Sequence, residues 1–350
     1  MINEFGKRLY SARKMAGLSM AALVEKAGSV VTKQAISKYE KGKINPSSEV
    51  LITLSTALGV KIDYFFRPSS ITIEGLEFRK KARMTRKVED QIKYQTIDFI
   101  QKYMELEDIL DVQTVFENPV SNPLVKTRED IEVAAQEIRE KWALGQGPVS
   151  HLIELLEDKG FKIFEVSEFD YFDGLSGFVS GFNVPVVAVY KGYDLARKRF
   201  TIAHELGHLL LDFSQADGQD IEKLCHTFAG DLLLPEAVIR KELGKNRSKI
   251  TLWELKKLKG IFGISIQAIM ARAANLSIIS PNAYKSFCIN VRKSGWHIEE
   301  PGKYEGKEVS NRFKQLIYHG AAEQVISFSK AAQFLNMPES QFQDEVLFVS

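Results

Sequence analysis

The residues best able to do chemistry stand in one string, Thr201-Ile202-Ala203-His204-Glu205-Leu206-Gly207-His208-Leu209-Leu210. His204 and His208 are four positions apart. At about 3.6 residues per helical turn, they rise one turn apart on one face. Two imidazole nitrogens so placed can share a Zn2+ ion at about 2.0–2.1 Å. Glu205, beside the first histidine, can hold a water at that ion and take its proton. The rest of the string is apolar. Three polar groups on a buried helix need partners, because an unsatisfied buried polar group is costly. Glu222, on the next expected helix, can supply a third ligand if that helix folds back against the first. Two histidines and one glutamate leave a coordination position open, as in catalytic zinc sites. Closed structural sites usually use cysteines, and this region has only Cys225. Nitrogen and carboxylate donors suit zinc.

Other groups nearby are read more plainly. His226 is one turn beyond Glu222. It could hydrogen-bond a ligand, pack against the helix, or bind the ion itself. Tyr190 and Tyr193 precede the histidine helix, where they could stabilise an oxyanion or serve as hairpin and loop aromatics. Phe228, Leu232 and Leu233 read as core. His151 and His319 read as ordinary surface or core positions. His297, in Gly295-Trp296-His297-Ile298-Glu299-Glu300-Pro301, has no evident chemistry.

These residues need elements to hold them. A strand is expected over Phe161–Val166. A hairpin is expected from Gly174–Phe182 and Pro185–Tyr190, its second strand lying at a sheet edge just before the histidine helix. That helix runs from Asp194 to about Leu211, and its partner from about Ile221 to Leu234, stopped by Pro235. Helices Arg128–Leu144 and Ser150–Lys159 precede the strands. Segments Leu252–Phe262, Ser265–Ala274 and Asn311–Leu335 follow them. The body is therefore helices on a small sheet, an α+β arrangement.

The first 67 residues differ from the rest. Apolar residues recur at helical spacing through Phe5, Leu9, Ala12 and Ala16. Ser19 and Thr32 are placed to cap helices Met20–Ala27 and Lys33–Lys41. Val50, Leu51, Leu54, Ala57 and Leu58 form a buried stripe. This segment holds 11 basic and 5 acidic side chains, net +6, leaving −4 on the remainder of a chain of net +2. A basic head on a slightly acidic body points to an anionic partner for the head. Two helices crossing at a tight turn can set the second into a DNA major groove. Lys33, Gln34, Ser37 and Lys38 would then lie near or on its exposed face, glutamine pairing with adenine and lysine reaching guanine or phosphate. A small helical bundle with a solvated basic face fits the periodicity equally well.

Specific strings separate these readings. Gln34-Ala35-Ile36-Ser37-Lys38-Tyr39-Glu40-Lys41-Gly42 resembles the recognition helix and exit of Cro-like, XRE-type helix-turn-helix regulators, over about residues 5–66. Lys7, Arg8 and Arg13 sit where that family carries basic residues. The resemblance implies that Glu40 pairs with one of the arginines structurally. Ser29-Val30-Val31-Thr32 makes the turn about two residues longer than the family pattern, which could tilt the recognition helix. The body, over about residues 128–275, resembles the ImmA/IrrE family of zincin metallopeptidases. That family joins Ala-His-Glu-Leu-Gly-His to a downstream element, read here as Glu222-Lys223-Leu224-Cys225-His226-Thr227-Phe228-Ala229-Gly230-Asp231-Leu232-Leu233-Leu234-Pro235. The register carries the third ligand onto Glu222. Cys225 replaces a usual alanine, and His226 a common asparagine or aspartate.

The expected layout is a helix-turn-helix domain at 1–67, a basic and helical linker at 68–127, a zincin-like domain at 128–275 and a partly helical extension at 276–350. The linker holds six basic residues within nine positions, Arg79 to Lys87. Ala321–Val346 faintly echoes a helix-turn-helix but carries little basic charge, so packing or dimerisation is expected of it. Hydrophobic residues at 45% exclude wholesale disorder. Two cysteines exclude a disulfide framework and suit a reducing cytoplasm. No apolar run approaches the roughly 18–20 residues needed to span a bilayer, and the start lacks the apolar core of a signal peptide. The resulting expectation is a cytoplasmic homodimer whose two heads bind two half-sites of operator DNA. Its body would be a zinc-dependent endopeptidase. Glu205 would act as general base, on a substrate that the resemblance suggests is an XRE-type repressor or this chain itself. The competing expectation is a non-enzymatic regulator, such as an antitoxin binding a toxin partner.

Overall fold

The computed structural model describes residues 4–67, 71–80 (76–80 as backbone), 84–169, 171–216, 218 and 220–346. Lys81 and Arg83 of the basic run lie outside the described residues. The chain divides into two compact units.

The first unit comprises the described residues up to Glu74, 80–112, and those from Gly320 on. It begins with α1 (Glu4–Met15), α2 (Met20–Lys26), α3 (Lys33–Glu40) and α4 (Ser48–Leu58), followed by a 3₁₀ turn at Ile62–Phe66. The caps are those expected from sequence. Ser19 Oγ accepts from Ala22 N, and Thr32 Oγ1 from Ala35 N, both at 3.1 Å. Each such cap contributes about 1 kcal/mol. Phe5, Leu9, Leu23, Ile36, Leu54 and Phe65 close the core. The long α2–α3 turn is absorbed by Gly28 and Ser29, both at positive φ. Val31 then enters the core while Val30 points outward.

After strand β1 (Ile73–Lys80), the long helix α5 (Arg86–Leu110) packs on α1. The second unit holds residues 75–79 and 113–319. Its elements are α6 (Arg128–Lys141), α7 (Leu152–Asp158), β2 (Lys162–Val166), β3 (Phe172–Val179), β4 (Pro185–Tyr190), α8 (Leu195–Leu210), α9 (Ile221–Leu233), α10 (Glu236–Leu243), α11 (Leu252–Phe262), α12 (Ile266–Asn275), α13 (Pro281–Lys293) and the part of α14 (Arg312–Ala322) up to His319. The sheet order is β1-β3-β4-β2. β3 and β4 are antiparallel, with Leu175 opposite Ala188, and β2 runs parallel to β4, with Phe164 opposite Ala188. The strand before α8 is therefore interior, not at an edge as its sequence suggests. The edge beside β3 is taken by β1, a strand that the sequence reading does not contain. α8 lies on β3 and β4, and α9 returns along α8.

Residues 299–312 form a strap on this unit. The Glu300 carboxylate accepts from Lys259 Nζ at 3.0 Å and from the backbone N of Ile266 and Gln267 at 2.9 and 3.1 Å. Glu308 accepts from the backbone N of Leu152 and Ile153 at 3.1 and 3.0 Å, and pairs with buried Arg199. The strap thus caps two helices whose first N–H groups have no partner within the helix.

In the first unit, α15 (Phe328–Phe334) and α16 (Glu339–Glu345) pack on each other. Lys102 Nζ donates to Asn336 Oδ1 at 2.8 Å, and Lys330 Nζ to Glu105 Oε1 at 2.5 Å. This C-terminal pair is engaged in packing.

Candidate metal centre and nucleic-acid interface

α8 is started by Asp194, whose carboxylate accepts from Ala196 N at 3.0 Å. Its Ile202, Ala203 and Leu206 are fully buried, which draws His204 and Glu205 in with them at 0% and 1% exposure. Glu222 stands in the first turn of α9, its side chain 53% exposed. The two helices come close at Gly207, where an added Cβ would lie 3.2 Å from Cys225 Sγ. This contact lets Glu222 reach the histidines.

Their donor atoms converge. His204 Nε2 and His208 Nε2 are 3.1 Å apart, His204 Nε2 is 3.3 Å from Glu222 Oε2, and His208 Nε2 is 3.4 Å from Glu222 Oε1. Donors at tetrahedral angles and 2.0–2.1 Å from zinc are separated by about 3.3 Å. The three separations fit that figure. Among the described residues, these three form the group of histidine, cysteine and carboxylate donors able to hold one ion.

Glu205 is held from the sheet. Ser176 Oγ donates to Glu205 Oε2 at 2.6 Å. An added Cβ on Gly174 would come 2.5 Å from Glu205 Oε1, so glycine there makes room for the carboxylate. Gly174 and Ser176 are two apart on β3 and share its α8-facing side. Sequence reasoning misses both. The alternation of β3 is their only signal, and it does not say which helix lies above.

The His226 ring packs against His204, centroids 4.6 Å apart, and stacks on Phe200 at 5.8 Å. Tyr193 Oη donates to Phe172 O at 2.9 Å and contacts Asp173, while the Arg197 guanidinium lies 4.0 Å above its ring. Tyr190 packs edge-on against Tyr193. Both tyrosines are thus engaged in loop packing. His151, His297 and His319 are exposed.

In the first unit, α3 buries Ile36, Tyr39 and Glu40. Lys33, Gln34 and Lys38 are exposed and Ser37 half-buried on the other side. Glu40 accepts from Arg13 Nε at 2.6 Å and Arg13 Nη2 at 2.9 Å. Arg8 is also buried and donates to Arg67 O at 3.0 Å and Gln101 Oε1 at 2.8 Å. Arg8 and Arg13 therefore brace the frame, while Lys7 stays exposed beside Glu4.

The sequence matches the helix-turn-helix family over residues 9–65 and the IrrE N-terminal-like domain, a peptidase family, over residues 161–274. An uncharacterized HTH-type transcriptional regulator of Rickettsia conorii is 34% identical over 110 residues, covering 31% of this chain and 78% of that protein. The SPbeta prophage-derived uncharacterized HTH-type transcriptional regulator YonR of Bacillus subtilis is 36% identical over 63 residues, covering 18% of this chain and 56% of that protein. No helix among the described residues is long and apolar enough to cross a membrane. The exposed polar face of α3, the match over residues 9–65 and the Rickettsia relative together place the chain among the XRE-type, DNA-binding HTH transcriptional regulators, with an IrrE/ImmA-like domain as its body.

Proposed function

We propose that the body is a zinc-dependent endopeptidase and that the head delivers it to operator DNA as a homodimer. What supports this most is the convergence of His204, His208 and Glu222, with donor separations of 3.1, 3.3 and 3.4 Å, directly beside the buried Glu205. The donors fit a divalent metal that prefers nitrogen and carboxylate. Zinc held there would supply Lewis-acid polarisation of a peptide carbonyl and acidify a water.

The protein's own groups do the rest. His204 and His208 would hold the ion through Nε2, and Glu222 would hold it through its carboxylate from the more exposed side. The Glu205 carboxylate accepts a proton from the attacking water and passes it to the leaving amine. Ser176 fixes that carboxylate through Oε2. The His226 ring limits rotation of His204. Lys33, Gln34, Ser37 and Lys38 read DNA from the outer side of α3. The substrate proposed is an XRE-type repressor, including this chain.

Incubation of the zinc-loaded protein with cognate repressors, followed by mass spectrometry, tests the reading. Glu205→Gln should retain metal and lose cleavage. Cleavage at the wild-type rate by Glu205→Gln would remove Glu205 from the chemistry. Neutralisation of a toxin that survives this substitution, with no cleavage by wild type, would support the antitoxin reading instead.

A further inference from the structure

The basic run at Arg79–Lys87 has no part in the site described above, yet the first unit puts its last two members to use. A cleft of about 680 Å³ opens between α1, the start of α2, the start of α3 and the start of α5. Its walls include Lys14, Ser19, Lys33, Arg86, Lys87 and Asp90. Lys33 is the first residue of the recognition helix. Arg86 and Lys87 are the first two residues of α5, some fifty positions later in the chain.

The charges in this cleft are unevenly compensated. Lys14 pairs with Asp90 at 2.5 Å, and Arg13 with Glu40 at 2.6 Å. Lys33, Arg86 and Lys87 are exposed, and none of them forms an ion pair among the described residues. Three uncompensated cations therefore line one opening. Like charges gathered on one opening repel one another unless an anion lies between them.

Their position on α5 adds a second argument. The N-terminal end of a helix carries partial positive charge, so basic side chains in the first turn work against the helix. α5 nevertheless begins with arginine and lysine, with Glu89 following in the same turn, and Thr85 makes no side-chain capping bond. The helix dipole gives Arg86 and Lys87 no stabilising role at this end.

We propose that Arg86 and Lys87 form a second clamp on the DNA backbone, beyond the recognition helix. With Lys33, they hold the phosphates of the strand that flanks the major groove entered by α3. The occupant is duplex DNA, and the contact is to phosphate, so it adds affinity and register without reading sequence. This rests on the DNA-binding reading of the head and extends its footprint to a helix outside the matched family segment.

The test is the salt dependence of binding to a random-sequence duplex by the full chain. Each phosphate contact contributes about 0.9 to the slope of log affinity against log salt. Arg86→Ala/Lys87→Ala should therefore flatten the slope by about 1.8. Arg86→Lys/Lys87→Arg should restore it. Lys241→Ala/Lys245→Ala, which removes the same charge from exposed positions in the other unit, should leave it unchanged. Thermal melting of each variant separates lost contacts from lost fold. A wild-type slope in the Arg86→Ala/Lys87→Ala variant overturns the clamp while leaving the head a DNA binder. A flattening matched by Lys241→Ala/Lys245→Ala also overturns it, because net charge alone would then explain the effect. If wild type shows no salt-dependent DNA binding, the clamp and the DNA-binding reading fall together.

Discussion

The head and the body bury charged or titratable groups to opposite ends. In the head, the Arg13 and Glu40 side chains are 6% and 5% exposed and satisfy each other through two hydrogen bonds. The groups offered to a partner, Lys33, Gln34 and Lys38, stand outside that frame. In the body, His204 and Glu205 are as deeply buried, and they are the groups that would work. The reason is chemical. Phosphates and base edges come to a surface, where long side chains can adapt to them. A metal ion needs donors fixed to within tenths of an ångström, and burial supplies that rigidity.

Breaking the head's pair should show how much of its frame depends on it. Glu40→Ala leaves Arg13 buried without its counter-charge, a defect that typically costs about 3–5 kcal/mol. The expected result is a large fall in the melting temperature of the head, followed by circular dichroism. Arg13→Met/Glu40→Leu should recover most of that loss, because a buried pair is replaceable by apolar groups of similar volume. The corresponding change in the body should affect function more than fold. Ser176→Ala removes the bond to Glu205 Oε2. Loss of a hydrogen bond to a charged group costs about 1.5–3 kcal/mol. Cleavage should fall by at least about tenfold, with metal content unchanged, as read by turnover and metal analysis on the same sample.

The smallest expected effect contrasts a buried charge that has a cationic partner with one that is held mainly by hydrogen bonds. Burial pushes Glu157 up to about 7, and bonds from Ser310 and the Arg312 backbone offset this only in part. The native body thus favours the protonated acid over its ordinary value of 4.5. That contribution is complete at acid pH and is lost as pH rises through about 7. The melting temperature of the body should decline across this window. Glu157→Gln should flatten the decline, since a neutral amide does not titrate.

The same contrast explains what the sequence discloses. The spacing of His204 and His208 marks a helix face because helical geometry is local. Glu222 is available from the family register, but its distance to the histidines depends on how α9 packs on α8. Gly174 and Ser176 lie beyond the reach of local reasoning. They meet Glu205 only because β3 is placed under α8, and neither glycine nor serine in a strand signals chemistry. β1 is missed for a related reason. Its sequence, Ile73-Glu74-Gly75-Leu76-Glu77-Phe78-Arg79-Lys80, has charges and a glycine at positive φ where strand alternation would be sought. Pairing with the edge of β3 makes it a strand where propensity does not. In the head, capping residues fix the helix starts, so these are legible. The choice of Arg13 over Arg8 as the partner of Glu40 is tertiary, and only the structure resolves it.

X-ray absorption at the zinc edge of the metal-loaded chain tests the centre most directly. The expected spectrum has a nitrogen and oxygen shell at about 2.0–2.1 Å, with outer scattering from two imidazoles that is lost in His204→Ala together with the bound metal. A sulfur shell from cysteine, or full metal content with an unchanged spectrum in His204→Ala, would contradict the assignment of His204, His208 and Glu222 to one ion.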